Sequence, residues 1–163
     1  MPKKKQITEE PKISKRTKKL PTFYQAVGRR KTATARVKLF PVLKEKIILG
    51  DLSLSKDEFL VNNRPFKEYF PGLIFEKKFF EPFRVTNNLN RFAGTIKVEG
   101  SGPHGQLDAV VHGISRALCQ IDKVTYKPLL RKYDLITRDP RMKERRKAGL
   151  AGKARAAKQS PKR

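Results

Sequence analysis

Residues 95–118 constrain the fold most, because the spacing of apolar side chains changes within this stretch. Up to residue 99, apolar and polar residues alternate, which is typical of a β-strand with one buried face. After the turn GSGPHG (residues 100–105), apolar side chains recur every three or four residues, which predicts an α-helix with one buried stripe. The stripe consists of Leu107, Val110, Val111, Ile114, Leu118 and Ile121. A strand that leads into a covering helix indicates an α/β domain.

The glycine turn matches G-x-G-x-x-G, a pattern found in dinucleotide-binding proteins. Such a site also needs a second apolar strand that ends in an acidic residue roughly 20 residues on. Here Asp122 closes the helix itself, and Lys-Val-Thr-Tyr-Lys-Pro follows it. We therefore interpret the glycines as close packing of the helix on the strand, with backbone amides that can face an anion such as an RNA phosphate.

The residue types that carry catalysis or bind metals do not form a recognisable site. His112 lies seven residues from Cys119, which is not a spacing typical of zinc ligands, and His104 lies in the glycine turn. Walker and G-x-S-x-G motifs are absent from the sequence. Asp108, His112 and Arg116 recur every four residues, and we interpret them as a polar helix face with pairs along the helix. We predict no catalytic residue, no metal, no cofactor and no enzymatic activity.

Net charge points to a polyanionic partner. The chain has 39 Lys and Arg against 15 Asp and Glu, a net charge of +24 that exceeds what solubility requires. Residues 1–20 carry 8 basic and 2 acidic groups, residues 21–40 carry 5 and 0, residues 41–130 carry 13 and 10, and residues 131–163 carry 13 and 3. A nearly balanced body therefore lies between strongly basic ends.

The sequence favours a soluble protein of a reducing compartment. Cys119 is the only cysteine, so no disulfide can form within the chain. No apolar run approaches the roughly 18 residues that cross a membrane, and the N-terminus lacks the apolar region of a signal peptide. Residues 1–22 mix lysines with prolines, and we predict a disordered basic extension there. A transit peptide is disfavoured, because Lys rather than Arg dominates and Glu9 and Glu10 are present.

We predict one globular domain over residues 23–136. The chain is strand-like from Phe23, with clear alternation over residues 33–39. Gly28 with the three cations behind it predicts a loop close to phosphates, with a solvated basic turn as the alternative. Residues 47–49 and 59–61 predict two further strands of a small sheet. Residues 65–70 and 74–80 predict short helices, the second ending before Pro82. We expect the aromatic residues of this region to pack in the core rather than to stack on bases.

Residues 137–163 are predicted to form an extended basic tail. Pro128 suits the first turn of a helix that packs back onto the domain. Asp139 and Pro140 can start a short cationic helix over residues 142–147, which would have no face to bury in the domain. Beyond it, cations alternate with small residues, which suits an extended chain among phosphates and predicts RNA contacts by Lys153, Arg155 and Lys158.

Several motifs in one order resemble the family of the ninth protein of the small ribosomal subunit, of bacterial type. The resemblance covers about residues 23–163 and rests on GRRKTATARV (28–37), NNRPFKEYF (62–70), GSGPHGQLDAVVHGISRAL (100–118), LITRDPRMKERRKAG (135–149) and the terminal KR. It implies an α/β fold like the second domain of ribosomal protein S five: a small four-stranded sheet with helices on one face and a left-handed crossover.

The resemblance also implies partners and contact residues. The partners are small-subunit rRNA in the subunit head, peptidyl-site tRNA and neighbouring head proteins, in a cytoplasmic ribosome, with no membrane contact and no homo-oligomer. Lys162 and Arg163 match the terminal pair that reaches tRNA. The residues that match the two basic rRNA-binding motifs are Arg29, Arg30, Lys31, Arg36, Arg138, Arg141, Arg145, Arg146 and Lys147.

Two alternatives come from other functional classes. One is a free-standing basic regulator that binds RNA or DNA, and the other is a nucleotide-dependent enzyme acting through GSGPHG. A DNA-binding protein that reads sequence is expected to carry base-contacting side chains on a basic recognition helix, which the helix after the glycine turn does not provide.

The sequence departs from the pattern of the resembled family at two places. The glycine run is sparser than in that family, and Pro161 stands where serine is common near the terminus.

Overall fold

The computed structural model describes residues 23–42, 46–49 and 52–156. The strands in these ranges are β1 (Tyr24–Arg30), β2 (Ala33–Pro41), β3 (Lys46–Leu49), β4 (Leu52–Ser55), β5 (Phe59–Val61), β6 (Arg64–Pro65) and β7 (Phe92–Glu99). The helices are α1 (Phe66–Tyr69), α2 (Leu73–Val85), α3 (Pro103–Ile121) and α4 (Lys123–Lys132). The predicted strand and helix around the glycine turn are thus confirmed as β7 and α3.

The main sheet has five strands in the order β1-β2-β7-β5-β6, rather than the four predicted. Its neighbours are antiparallel except β5 and β7, which run parallel and are joined through α1 and α2. The fifth strand, β6, is two residues long and follows a tight turn in which Asn62 and Asn63 take φ values of 49° and 66°. Asparagine tolerates this left-handed conformation, which two-residue hairpins require.

Two predictions about strands are wrong. Residues 28–30 form the end of β1 rather than a loop, and residues 46–49 pair only with β4, in a separate two-stranded sheet. The cations at positions 29 and 30 obscured this end of the strand because they interrupt its apolar alternation. The small sheet packs through Leu54 against Ala93, on the face of the main sheet opposite the helices.

Helix α3 lies directly on β1 and β2, where two glycines allow a close approach. A Cβ atom on Gly28 would lie 1.9 Å from the carbonyl oxygen of Ala109 and 2.4 Å from the backbone nitrogen of Gly113. A Cβ atom on Gly113 would lie 2.7 Å from Cγ2 of Val37. The first residue of the GRRK motif is therefore required for packing of the helix on the sheet.

Phenylalanines fill the core between the sheet and α2, as predicted. Phe79 and Phe83 are almost completely buried, and both rings contact Phe59 of β5, at centroid distances of 4.9 and 5.4 Å. Phe66 packs on Phe79 at 4.1 Å. Such pairs stabilise a core beyond the area they bury. These rings are accordingly not available for base stacking.

Three helix predictions need correction. Helix α2 continues through Pro82 to Val85, because burial of the flanking Phe79 and Phe83 outweighs the hydrogen bond that proline removes. Helix α4 begins at Lys123 rather than near Pro128, since the Asp122 carboxylate caps its first turn. Residues 142–147 form no helix, because they have no apolar face to bury and their cations repel one another.

No helix within the described ranges is both long and apolar enough to cross a membrane. Among the same residues, no group of three or more His, Cys, Asp or Glu side chains could hold a metal ion.

Candidate nucleic-acid interface

The cations of the GRRK motif are placed differently from one another. Arg29 and Arg30 are the last residues of β1, and Lys31 occupies the turn into β2 with a φ of 51°. Because successive strand residues face opposite sides of a sheet, Arg29 and Arg30 diverge. Arg29 and Lys31 are exposed, whereas the Arg30 side chain is only 16% exposed. The motif thus offers two cations to solvent and directs the third toward the helices.

Arg30 connects three parts of the molecule. Its Nε lies 3.4 Å from Oδ2 of Asp108 on α3, and its Nη2 lies 3.1 Å from Oδ2 of Asp139 after α4. Its Nη1 donates a 2.9 Å hydrogen bond to the backbone oxygen of Arg141. Lys78 of α2 also pairs with Asp108, at 2.6 Å. Arg30 therefore clamps the start of the C-terminal tail against the domain.

The polar row of α3 closes the open edge of β1. Arg116 donates a 2.6 Å hydrogen bond from Nη1 to the backbone oxygen of Val27, and the backbone N–H of Arg29 donates to Nδ1 of His112 at 3.2 Å. The predicted pairing along the helix is wrong, because the partners of this row lie on the edge strand, on α2 and on the chain after α4. Covering the edge protects its backbone groups from pairing with another strand.

His112 is held in its neutral form. Its Nδ1 accepts from Arg29, so Nε2 carries the hydrogen and donates to the backbone oxygen of Ile136, 2.9 Å away. Burial lowers the pKa of His112 below its usual value, and the positive charges of Arg116 and Arg138 lower this pKa further. The same histidine thus joins β1, α3 and the chain after α4.

A groove of about 590 Å³ runs between the edge of β1 and the chain after α4. Its lining residues are Val27, Arg29, His112, Arg116, Ile136 and Arg138. Three of them carry guanidinium groups, and none carries a carboxylate. Guanidinium groups bind phosphate through paired hydrogen bonds, so this arginine groove suits the backbone of a nucleic acid.

A neighbouring cleft of about 370 Å³ has a different character. Arg30, Lys78 and Arg141 line it together with Asp108 and Asp139. Asp139 pairs with both Arg30 and Arg141, and the hydrogen bonds from Arg141 lower the pKa of Asp139 well below its usual value. Arg30, Lys78 and Arg141 are thus balanced by carboxylates, unlike the cations of the arginine groove.

The tail beyond Arg141 turns back on itself within the described residues. The backbone N–H of Lys147 donates to the Lys153 oxygen at 3.1 Å, and Gly149 and Gly152 take φ values of 80° and 70° in the reversal. Arg155 pairs with Glu144 across this turn. Five other predicted rRNA-binding residues are exposed and have no carboxylate partner among the described residues: Arg138, Arg145, Arg146, Lys147 and Lys153. Lys158, Lys162 and Arg163 lie outside the described residues.

Comparison with known proteins identifies this arrangement. A family model described as Ribosomal protein S9/S16 matches residues 28–163, the span from the close-packed glycine to the end of the tail. The chain belongs to the ribosomal protein S9 family. The small ribosomal subunit protein uS9 of Thermotoga neapolitana is 43% identical over 143 residues, which cover 86% of this chain and 96% of that protein.

Membership of the S9 family decides between the functional classes considered from the sequence. The chain is a structural constituent of the small ribosomal subunit and not an enzyme, so the dinucleotide alternative is excluded. The predicted association with the small subunit of the cytoplasmic ribosome is confirmed on the same ground.

Two residues of the interface were missed by sequence reasoning. The sequence indicates only a polar helix face for Arg116, whereas in the structure it lines the arginine groove. Lys78 was not singled out, although it pairs with Asp108 beneath Arg30. The four-residue spacing of the α3 row was visible in the sequence. Its position beside an edge strand was not, because that depends on the strand order.

Proposed function

We propose that this S9-family chain binds rRNA in the head of the small subunit, with the arginine groove and the basic tail as its main contact surface. The observation that carries the proposal is the groove itself, in which Arg29, Arg116 and Arg138 converge without a carboxylate. In water, the like charges of such a groove repel one another and destabilise the folded protein. Bound phosphates relieve this repulsion.

The predicted rRNA-binding residues divide into two groups by their internal contacts. Direct phosphate contacts fall to the cations without carboxylate partners: Arg29, Lys31, Arg36, Arg138, Arg145, Arg146, Lys147 and Lys153. Arg30, Arg141 and Arg155 already pair with carboxylates, so they act on rRNA mainly by fixing the path of the tail. Lys158 belongs with the direct contacts on the composition of the tail.

We further propose that the tail tip contacts peptidyl-site tRNA through Lys162 and Arg163, as the family resemblance implies. Fifteen residues, 149–163, can extend roughly 45–50 Å at about 3.3 Å per residue, which is enough to leave the protein's own surface. We propose the domain limits that the sequence predicts. These are an N-terminal extension over residues 1–22, a globular domain over residues 23–136 and a tail over residues 137–163. Ile136 supports the second limit, since it packs against the core.

The remaining family features are also proposals. We propose that the connection between the parallel strands β5 and β7, which runs through α1 and α2, forms the left-handed crossover of the fold. Neighbouring head proteins are partners, and the chain acts in a single copy.

Sedimentation of small subunits in rising salt tests the rRNA proposal. We expect the wild-type chain to remain bound in high salt, and Arg29→Gln with Arg138→Gln to be released earlier. Each lost phosphate contact should lower the log-log salt slope by roughly 0.7–0.9. The control is Arg64→Gln with Lys67→Gln, which removes two exposed cations that already face carboxylates. Equal release of the groove variant and the control would place the groove away from rRNA.

Truncation separates the tail tip from the rest of the tail. Deleting Lys162 and Arg163 should leave subunits assembled but weaken filter binding of peptidyl-site tRNA by roughly 1–3 kcal/mol, the range of one or two charge-assisted contacts. Deleting back to Gly149 should also impair assembly. Unchanged tRNA affinity after the two-residue deletion would exclude the tip as a tRNA contact.

A further inference from the structure

The outer face of the main sheet, opposite the helices, is covered over only part of its length. Near Phe40 and Ala93, the β3–β4 sheet packs on it, and Val42, Leu54 and Ala93 form a small buried cluster. Farther along the same strands, side chains of β2 and β7 are exposed. The described part of the chain places no helix or strand over this second region.

Three cations that line neither the arginine groove nor the tail occupy the uncovered region. Arg36 of β2 is paired directly with Lys97 of β7, and Lys38 lies two residues along β2 on the same face. All three are exposed, and none has a carboxylate oxygen within 4.0 Å among the described residues. The nearest strand acid is Glu99, opposite Thr34 at the end of the register. We call Arg36, Lys38 and Lys97 the sheet-face cations.

This arrangement is unfavourable for the isolated protein. Side chains that are directly opposite on neighbouring strands have Cβ atoms about 4.5–5.5 Å apart, and like charges in this position destabilise a sheet. Solvated surfaces usually intersperse both signs. Lys38 also contacts an aromatic ring, with its Nζ 5.3 Å from the ring centroid of Phe23. A polyanion on this face would remove the repulsion between Arg36 and Lys97.

The polar neighbours of these cations favour RNA over a protein partner. The cations line a depression of about 400 Å³ with Gln25, Asn63 and Thr95, whose side chains can hydrogen-bond to phosphates and 2′-hydroxyl groups. Leu60 supplies a half-buried apolar side chain at its margin. Protein interfaces instead centre on apolar and aromatic residues from which lysine is depleted.

We propose that the sheet-face cations form a second rRNA-binding surface, separate from the arginine groove and the tail. This surface takes the sugar-phosphate backbone of an rRNA segment, with Lys38 and Lys97 as contacts additional to Arg36. The proposal rests on the rRNA-binding function proposed above. It places rRNA on two sides of the domain, the sheet face and the edge beside α3.

Covalent footprinting and crosslinking on purified small subunits test the proposal. Lys38 and Lys97 should react with an amine-acylating reagent in the free protein and be protected in the subunit, whereas the ion-paired Lys67 serves as a comparison. Ultraviolet crosslinking should then yield nucleotide adducts on peptides that contain residues 36–38 or 97. Full reactivity of Lys38 and Lys97 in the subunit, or crosslinks from them to another protein instead of to nucleotides, would overturn the proposal.

A pair of variants gives an independent measurement. Lys38→Gln with Lys97→Gln should lower the log-log salt slope of subunit association by about 1.4–1.8, if each contact contributes roughly 0.7–0.9. Both residues are exposed, so the thermal midpoint of the free protein should be unchanged or higher. An unchanged salt slope would overturn the sheet-face proposal alone. Absence of the wild-type chain from small subunits would overturn the proposed function itself.

Discussion

Gly28 couples the packing of the domain to its interface, so its replacement by alanine is a sharp test of the structure. The added Cβ would lie 1.9 Å from the Ala109 oxygen, whereas carbon–oxygen contacts are normally about 3.3–3.6 Å. Helix and strand would have to separate by roughly 1.5 Å at this point to reach that distance. The obstructing atoms belong to the backbone of α3, so no change of rotamer can relieve the overlap.

The expected loss of stability follows from the number of α3 residues that are buried. Ten of its residues are buried, and displacement of the helix loosens their contacts with β1 and β2. Overpacked cores usually lose 1–3 kcal/mol. We expect Gly28→Ala to reach or exceed the upper end, about 3 kcal/mol, against a total stability of roughly 5–15 kcal/mol. Arg29 and Arg30 follow directly, so the arginine groove should be displaced as well.

Urea unfolding of the free protein provides the measurement, with the midpoint compared at constant slope. Gly102→Ala is the matched control, because no heavy atom of the described residues beyond its chain neighbours lies within 4 Å of the Cβ that it would add. Its effect should stay within about 1 kcal/mol, the range of glycine-to-alanine changes without strain. A loss below about 1 kcal/mol for Gly28→Ala would refute the inference that backbone contact fixes α3 on the sheet.

Three further predictions concern the same elements. Ile114 is completely buried in the stripe of α3, so Ile114→Asp should abolish the cooperative unfolding transition seen by circular dichroism; a normal transition would contradict the core assignment. The pKa of His112 is lower in the folded protein than in the unfolded chain. The hydrogen bonds of the neutral ring therefore contribute their full stability above the unfolded-state pKa of about 6.5, and this contribution is lost as the pH falls through the folded-state pKa. The urea midpoint should therefore fall more between pH 7.5 and 5.5 in the wild type than in His112→Gln; parallel profiles would exclude this role. Arg30→Met should cost about 2 kcal/mol, below the 3–5 kcal/mol of fully buried pairs, and should raise amide exchange at Asp139 and Arg141; unchanged exchange at these two amides would show that Arg30 does not hold the tail.

The sequence was sufficient to predict the elements whose own pattern determines them. Strand β7 and helix α3 follow from the change of period at residue 100, and the aromatic core follows from phenylalanines at helical spacing beside a sheet of small residues. The end of strand β1 was obscured because Arg30 faces the helices as a cation neutralised by Asp108 and Asp139. A charge at an inward position obscures the alternation that marks a strand.

The interface was predictable as a set of cations but not as a geometry. The sequence located Arg29 and Arg138, yet it could not show that they meet Arg116 in one groove, since this requires β1 at the sheet edge and the chain after α4 beside it. The cationic helix predicted at residues 142–147 does not form, for a related reason. Capping signals at Asp139 and Pro140 start a helix only where burial or an external partner supports it.

The polar row of α3 relates the fold to the proposed function, because the same three residues close the sheet and direct the tail. Arg116 and His112 bond to the backbone of β1, while His112 and Asp108, through Arg30, also hold the chain after α4. The tail is therefore fixed at Ile136 and again at residues 139–141, on either side of Arg138. Anchoring a basic segment at its start limits the volume that it samples and raises its effective concentration at one site. The carboxylates near α3 thus serve to aim a cationic tail, and their pairing with Arg30 keeps them from repelling the rRNA that the arginine groove is proposed to bind.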